Sequence, residues 1–461
     1  MTVDLVLKNC RLVLREGVFE AGVAIDRGQI ISIASINHLP RGDIEIDLNG
    51  RYVLPGAIDV HVHAYDPKHF GPREDFRSIS LAASAGGVTT IIEMPTDTPY
   101  ITTDALREKI EAGERWSRID FGLHAGNIQS LEGFDPNSLI DLGVNSFKLF
   151  LCKPYMIDDR DILRLMEMVK GRGLCMFHAE NGFLVDLYTE RLKSMDRRDP
   201  MAYHESRPRL AEVEGIGRVI AYSRATGCGI HIVHLTTMEG LKLIEEAKYR
   251  GVDISCETCP HYLIFTRDDV EKLGPYLKMT PPLRLREDLE ALWLGLRSGL
   301  IDMVATDHYS TFKEDREPGW SDIWPIRSGL PGIETLFPLM LSEGVNQGRI
   351  TLMDLARLLS ENPARRFGLY PKKGVIAIGS DADLTVIDLN REWMIKADEL
   401  HQRSGWTPYE GYRCRGRIYM TILRGEIIYR DGEVLGREGY GEYVKRGCPE
   451  RLSAIRGGGK A

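Results

Sequence analysis

His61 and His63 stand two residues apart in the segment DVHVH. In an extended strand, side chains two apart point to the same side, so both imidazoles face one space. Neutral imidazole is the commonest protein ligand for zinc and similar metals. Taken alone, such a pair is a weak signal, with two incidental polar residues as the competing reading. Three further residues end short apolar runs: His178 in MFHAE, His234 in HIVHL and Asp307 in VATDH. Each has an ordinary explanation, a hydrogen-bonded core histidine or a turn-capping aspartate. Lys148, inside SFKLF between Phe147 and Leu149, does not, because lysine is almost never fully buried without a partner. A protonated amine repels cations, so Lys148 joins a metal cluster only after losing its proton. Burial near positive charge lowers its pKa, and a neutral amine can add carbon dioxide to form a carbamate able to bridge two metals. Pairing with a buried carboxylate is the alternative that spacing leaves open.

These residues need elements to bring them together. Apolar runs of strand length recur at 57–63, 89–95, 120–126, 146–151, 174–180, 229–235, 252–259 and 303–308. Helical patterns lie between them, for example 159–171, 211–227 and 239–251, the last two ending on glycine as helices commonly do. This alternation implies a parallel sheet with crossover helices. Eight such strands fit an α/β fold of the (β/α)8 TIM-like type, whose chemistry sits at the C-terminal ends of the strands. On that fold the six polar residues occupy five strands, all near the same end. Six separate accidents explain this poorly.

The two ends of the chain have another texture. Segments such as VDLVLKNCRLVL and CRGRIYMTILRGEIIYRDGEV alternate apolar and polar residues and are broken by Gly, Asp and Asn. Such patterning indicates antiparallel strands, and neither end has enough of them to close a core alone. The expectation is a small β-sandwich domain built from residues 1–53 plus 366–461, with the barrel spanning 54–365. Residues 451–461, with their run of three glycines, read as a loose tail.

Composition narrows the partners. Among 461 residues, 59 Lys+Arg against 67 Asp+Glu give a net charge of -8, which argues against nucleic acid and anionic membranes. No apolar run approaches a membrane span, and no export signal opens the sequence. The eight scattered cysteines read as reduced thiols of a cytoplasmic protein. Cys256 and Cys259 have CxxC spacing but neither a second such pair nor a helix start behind the first thiol. They read as structural or substrate-lining residues.

The ordered set DVHVH, SFKLF, FHAEN, IVHL, ETCPHYL, MTPPLR, ATDH and NPARRFGLYPKKGVIAIGSDADL resembles the cyclic amidohydrolases of the amidohydrolase superfamily. That family includes hydantoinases and dihydropyrimidinases, allantoinases and dihydroorotases, and the match extends over nearly the whole chain. The resemblance implies two divalent metal ions, zinc first among the candidates. His61, His63 and Asp307 would hold the more buried ion, and His178 with His234 the more exposed one. A carbamate on Lys148, formed from carbon dioxide, would bridge them. Water activated between the metals would attack the amide, and Asp307 would carry a proton to the leaving ring nitrogen. Thr280 in MTPPLR and Ser328 in RSGLPG would lie where related enzymes contact the amide ring. The family also implies a homo-oligomer, a tetramer, acting on a small cyclic ureide or imide.

Departures from the family pattern narrow the substrate. Dihydroorotases carry an arginine two residues after the histidine pair and an asparagine in a PNT segment; here those places are Tyr65 and Thr96. Tyrosine cannot replace a bidentate arginine–carboxylate pair, which argues against dihydroorotase. D-Hydantoinases and dihydropyrimidinases place an oxyanion-donating tyrosine five residues after the bridging lysine, where this chain has Lys153, with Tyr155 two further on. ETCPHYL and TPYEG are similar to allantoinases. TTIIEMP, KEDREPGW and GIETLFPLMLSEGVNQGRI are similar to L-selective hydantoinases. The expected reaction is hydrolysis of a hydantoin-type ring to an N-carbamoyl amino acid, with allantoinase as the alternative. Tyr65, His69 and Phe70 are candidates for a substrate-side loop, with ordinary loop packing as the competing reading. A metal-dependent deaminase and a non-enzymatic relative that has lost its ligands are the rivals from other classes. Lys148 counts against the first, and the full set of six ligand positions against the second.

Overall fold

Alternating apolar residues make the N-terminal segment into five strands: β1 (Thr2–Leu14), β2 (Gly17–Asp26), β3 (Gln29–Ala34), β4 (Arg41–Asp47) and β5 (Tyr52–Pro55). The structure, a computed structural model, describes residues 2–65, 74–95 and 101–452. β1 carries an irregularity between Leu7 and Cys10, where Asn9 takes a φ of 53°. The extra residue keeps Leu5, Leu7, Cys10 and Leu12 in one core although their spacing changes from odd to even. There too its neighbour along the sheet changes from β4, paired over residues 2–8, to β5, paired at Arg11 and Leu12.

The apolar runs expected in the middle of the chain are all strands, and all are parallel. They are β6 (Ala57–Val62), β7 (Val88–Glu93), β8 (Asp120–Leu123), β9 (Ser146–Phe150), β10 (Leu174–His178), β11 (Ile230–Ile232), β12 (Ile254–Thr258) and β13 (Met303–Val304). Two parallel bridges complete the ring, Ala125 to Phe147 beside β8 and β9, and Val62 to His308 beside β6 and β13. Helices such as Arg209–Thr226 and Met238–Tyr249 cover the outside. The first ends on Gly227 at a φ of 73°, a left-handed cap that favours glycine. Inside the barrel Ile58, Val60, Ile92, Met176, Val233 and Ala305 pack on Phe367.

The C-terminal strands are β14 (Leu384–Met394), β15 (Arg413–Leu423), β16 (Glu426–Arg430) and β17 (Glu433–Val434). They pair in the order β17-β16-β15-β14-β5-β1-β2-β3, with β4 on β1, so both ends of the chain build one nine-stranded sheet. Leu7, Leu12, Val23 and Ile25 share its core with Leu384, Val386, Met420 and Ile422. Lys373, wholly buried, ties this sheet to the barrel: its ammonium lies 2.6 Å from Asp120 at the start of β8, 2.7 Å from Asp383 and 3.0 Å from Asp381.

Cys256 lies in β12, and Cys259 precedes the short helix Pro260–Ile264. Both thiols are fully buried, and burial pushes Cys256 up to about 12, as befits a packing residue. Among the described residues no helix is long and apolar enough to cross a membrane. His69, Phe70, Thr96 and the tail beyond residue 452 lie outside the described residues.

Candidate metal centre

Strict alternation along β6 would set His61 and His63 on the face opposite Ile58 and Val60. Ile58 and Val60 are interior, and so are the two histidines. A bulge resolves the conflict: between Asp59 and Val62, β6 has one residue more than β7. Val62 is thereby turned to the outer core with Ala57, and the imidazoles enter the barrel mouth. His61 Nε2 and His63 Nε2 each lie 3.1 Å from Asp307 Oδ1. Their ligand atoms all fall within 4.8 Å of one another.

The second pair is built by backbone strain. On β11 the interior residues alternate as His231 and Val233, so His234 should face outward. It takes a φ of 40°, which turns its ring in, and Asp307 takes 48°. Left-handed backbone at a non-glycine residue costs about 1–3 kcal/mol and gathers at functional sites. His234 Nε2 comes to 3.0 Å from His178 Nδ1, and the His61 and His234 rings lie 5.5 Å apart, which joins the two groups.

Lys148 follows from register. It pairs with Met176 across β9 and β10, and Met176 is interior, so the lysine is too. It is 1% exposed, and among the described residues no carboxylate forms an ion pair with it. Burial pushes its amine down to about 8, against the pull of Asp307 and Glu257. Burial also holds His61 and His234 below the usual imidazole range, with Lys148 adding to the effect on both. Neutral rings are the form that ligates metal. Burial raises the Asp307 carboxyl, but His61, His63 and Lys148 outweigh it and hold it at about 2.

The ligand-facing nitrogens are oriented from behind. His61 Nδ1 lies 2.5 Å from Glu257 Oε1, and Glu257 Oε2 lies 3.0 Å from His231 Nε2. His63 Nδ1 faces the Met94 carbonyl at 3.0 Å. His178 Nε2 lies 2.7 Å from Glu180, which also takes the Arg207 guanidinium. Burial raises Glu180, but Arg207 and His178 prevail and hold it at about 2. Such partners fix ring orientation and raise ligand basicity. Glu257, His231, Glu180 and Arg207 are functional candidates that sequence reasoning missed. A charged residue inside an apolar strand, the signal that singled out Lys148, would have found Glu257.

The donor set suits two cations. Three lone-pair donors converge on one point, and beside them His178 Nδ1 and His234 Nε2 lie 3.0 Å apart, close enough to share a second ion once the proton between them is lost. The proposed substrate residues fall into two places. Tyr65 packs edge-on against Tyr309, which packs edge-on against His63, each at 5.5 Å between centroids. Thr280 and Ser328 both meet the hydroxyl of Tyr203, and Gly329, next to Ser328, approaches Tyr309 so closely that a Cβ there would stand 2.6 Å from it. Lys153 is exposed and pairs with Asp186 at 2.7 Å.

The chain is matched over residues 188–428 by the model of the amidohydrolase family. It is 36% identical over 453 residues to an L-hydantoinase of Paenarthrobacter aurescens, covering 96% of this chain and 98% of that protein. It is 37% identical over 440 residues to an allantoinase of Rubrobacter xylanophilus, covering 94% and 95%. The solved structure of the L-hydantoinase (dihydropyrimidinase) from Arthrobacter aurescens matches with a TM-score of 0.92 at 35% identity, over 96% of this chain and 100% of that one. Overall identity does not separate the two activities. Matched from end to end in sequence and in fold, the chain belongs to the amidohydrolase family, in the group that contains hydantoinases and allantoinases.

Proposed function

We propose that this enzyme opens a five-membered cyclic ureide of the hydantoin type, hydrolysing one ring amide to give an N-carbamoyl amino acid. The observation that carries the reading is the convergence of His61, His63 and Asp307 beside the facing His178–His234 pair, around buried Lys148. Full-length similarity to hydantoinases supports it. His61, His63, Asp307, His178, His234 and a Lys148 carbamate would hold two divalent ions, zinc by donor preference. Bound there, such ions lower the pKa of water and polarise a carbonyl oxygen.

The chain's own residues do the rest. Asp307 accepts one proton of the attacking water and delivers it to the ring nitrogen as the C–N bond breaks, so hydroxyl and hydrogen end on the two halves of the cleaved amide. Its neighbours hold the carboxyl at about 2, so it is ionised at neutral pH, the form that can take up a proton. Glu257 and the Met94 carbonyl keep His61 and His63 aimed while charge develops. Thr280 and Ser328 border the ring, and the Tyr65–Tyr309 wall receives an apolar 5-substituent.

One observation favours the alternative, allantoinase. Arg327 donates to the Tyr309 hydroxyl at 3.1 Å, a polar group on the same wall that suits a ureido substituent. The test is parallel turnover of 5-benzylhydantoin enantiomers, dihydrouracil, allantoin and dihydroorotate by metal-loaded protein. A benzylhydantoin should give the highest kcat/KM. Allantoin ahead by about tenfold, roughly 1.4 kcal/mol of transition-state binding, would reverse the choice.

The quaternary and cellular readings are also proposals. Phe183 and Leu187, four apart on the helix Gly182–Ser194, are 72% and 50% exposed, as an apolar contact between copies would require. A homotetramer is expected, and sedimentation of a pure monomer at micromolar concentration would refute it. Eight free cysteines, seven of them buried, fit a reducing cytoplasm.

A further inference from the structure

Two buried basic side chains, Arg316 and Lys278, are held by carbonyls and not by an ion-paired carboxylate among the described residues. Arg316 is wholly buried; its guanidinium donates to Thr311 Oγ1 at 2.8 Å, to the carbonyls of Pro275 and Lys278 at 3.3 Å, to that of Arg327 at 2.9 Å and to that of Gly329. Lys278, 3% exposed, donates to the carbonyls of Ile323 at 2.8 Å, Trp324 at 3.3 Å and Ile326. Among the described residues neither forms an ion pair. Desolvating a cation without a counter-ion is costly, so every carbonyl dipole aimed at it resists displacement.

Those carbonyls come from two segments, 275–278 and 323–329. Thr280 follows the first, and Ser328 lies in the second. The segments are also joined directly, Gly329 N–H donating to the Lys278 carbonyl at 2.9 Å. Above them, the Tyr203 ring lies 4.5 Å from the Lys278 ammonium, and its hydroxyl meets Thr280 Oγ1 and, at 2.9 Å, Ser328 Oγ.

We propose that Lys278, Arg316 and Tyr203 form a clamp that sets the distance between Thr280 and Ser328, and thereby selects the ring size the enzyme accepts. They are positioning residues, acting through the two loops. This rests on the proposed role of Thr280 and Ser328 at the substrate ring. A fixed gap discriminates between five- and six-membered rings because one ring atom changes the separation of the groups that must be met. A slack gap accepts both.

The variants are Tyr203→Phe, which removes one oxygen and keeps the ring, and Lys278→Met, which keeps the stem and removes the amine that bonds the carbonyls. In the metal-loaded enzyme each should raise KM for the preferred ring about tenfold while kcat stays within about twofold, and should compress the hydantoin-to-dihydrouracil ratio of kcat/KM by about fivefold or more. Metal content should be unchanged. Amide hydrogen exchange should quicken in residues 275–280 and 323–329 together. Unchanged KM and ring-size ratio in Tyr203→Phe would overturn the proposal, as would a fall in kcat that follows metal loss. If the native protein turns over no cyclic ureide, the substrate reading fails separately; exchange confined to one loop, or unaltered, then removes the clamp as well.

Discussion

Replacing Glu257 by glutamine isolates the charge behind the metal centre. The side chain is fully buried and uses both oxygens, one on His61 Nδ1 and one on His231 Nε2. Glutamine keeps the shape. Its carbonyl still accepts from His61, and its amide can donate to His231 if that ring places its proton on Nδ1, 2.8 Å from Ser255 Oγ. What disappears is the negative charge. A hydrogen bond to a charged group contributes about 1.5–3 kcal/mol against about 0.5–1.5 for a neutral one. The His61 bond alone therefore weakens by about 1.2 kcal/mol, a factor of about eight in metal affinity, and losses behind metal ligands reach about a hundredfold. The assay is equilibrium competition with a chromophoric chelator, with metal stoichiometry read in parallel. Glu257→Ala differs in kind, leaving two buried ring nitrogens unpartnered at about 1–3 kcal/mol each, and should lower the melting temperature markedly. Native metal affinity in Glu257→Gln would refute the role given to this carboxylate.

Three other outcomes are expected. Lys148→Ala should lose most activity and at least one metal equivalent, with partial rescue by a short carboxylic acid; full metal content in the variant would end the carbamate reading. Asp307→Asn conserves volume and should fold normally while kcat falls by about 10²–10⁴; turnover near the native rate would exclude proton transfer by this residue. Burial, with Arg316 next, pushes Lys278 down to about 7, so between that pH and about 10.4 the unfolded chain binds more protons than the folded one. The native protein should therefore gain stability relative to Lys278→Met as pH rises through that window, and a difference in melting temperature that stays flat from pH 6 to about 9.5 would contradict it.

Much of the barrel was legible because each strand is a short apolar run between turn residues, a signal held within a few positions. Lys148 and Asp307 could be singled out for the same reason, since a charge breaking such a run is visible locally. Which way those side chains point was decided elsewhere. Counting by twos from Ile58 sends His61 and His63 out of the barrel, and only the extra residue between Asp59 and Val62, seen against β7, returns them. His234 faces its partner only through a left-handed backbone that no residue type announced. Glu257 serves His61, which stands 196 positions away, and Tyr203 meets Ser328 across 125. Residue types and local period set which elements form, because those preferences act between near neighbours. Bulges, register and buried polar partners depend on strands that meet only after the chain has folded, so they belong to the tertiary structure alone.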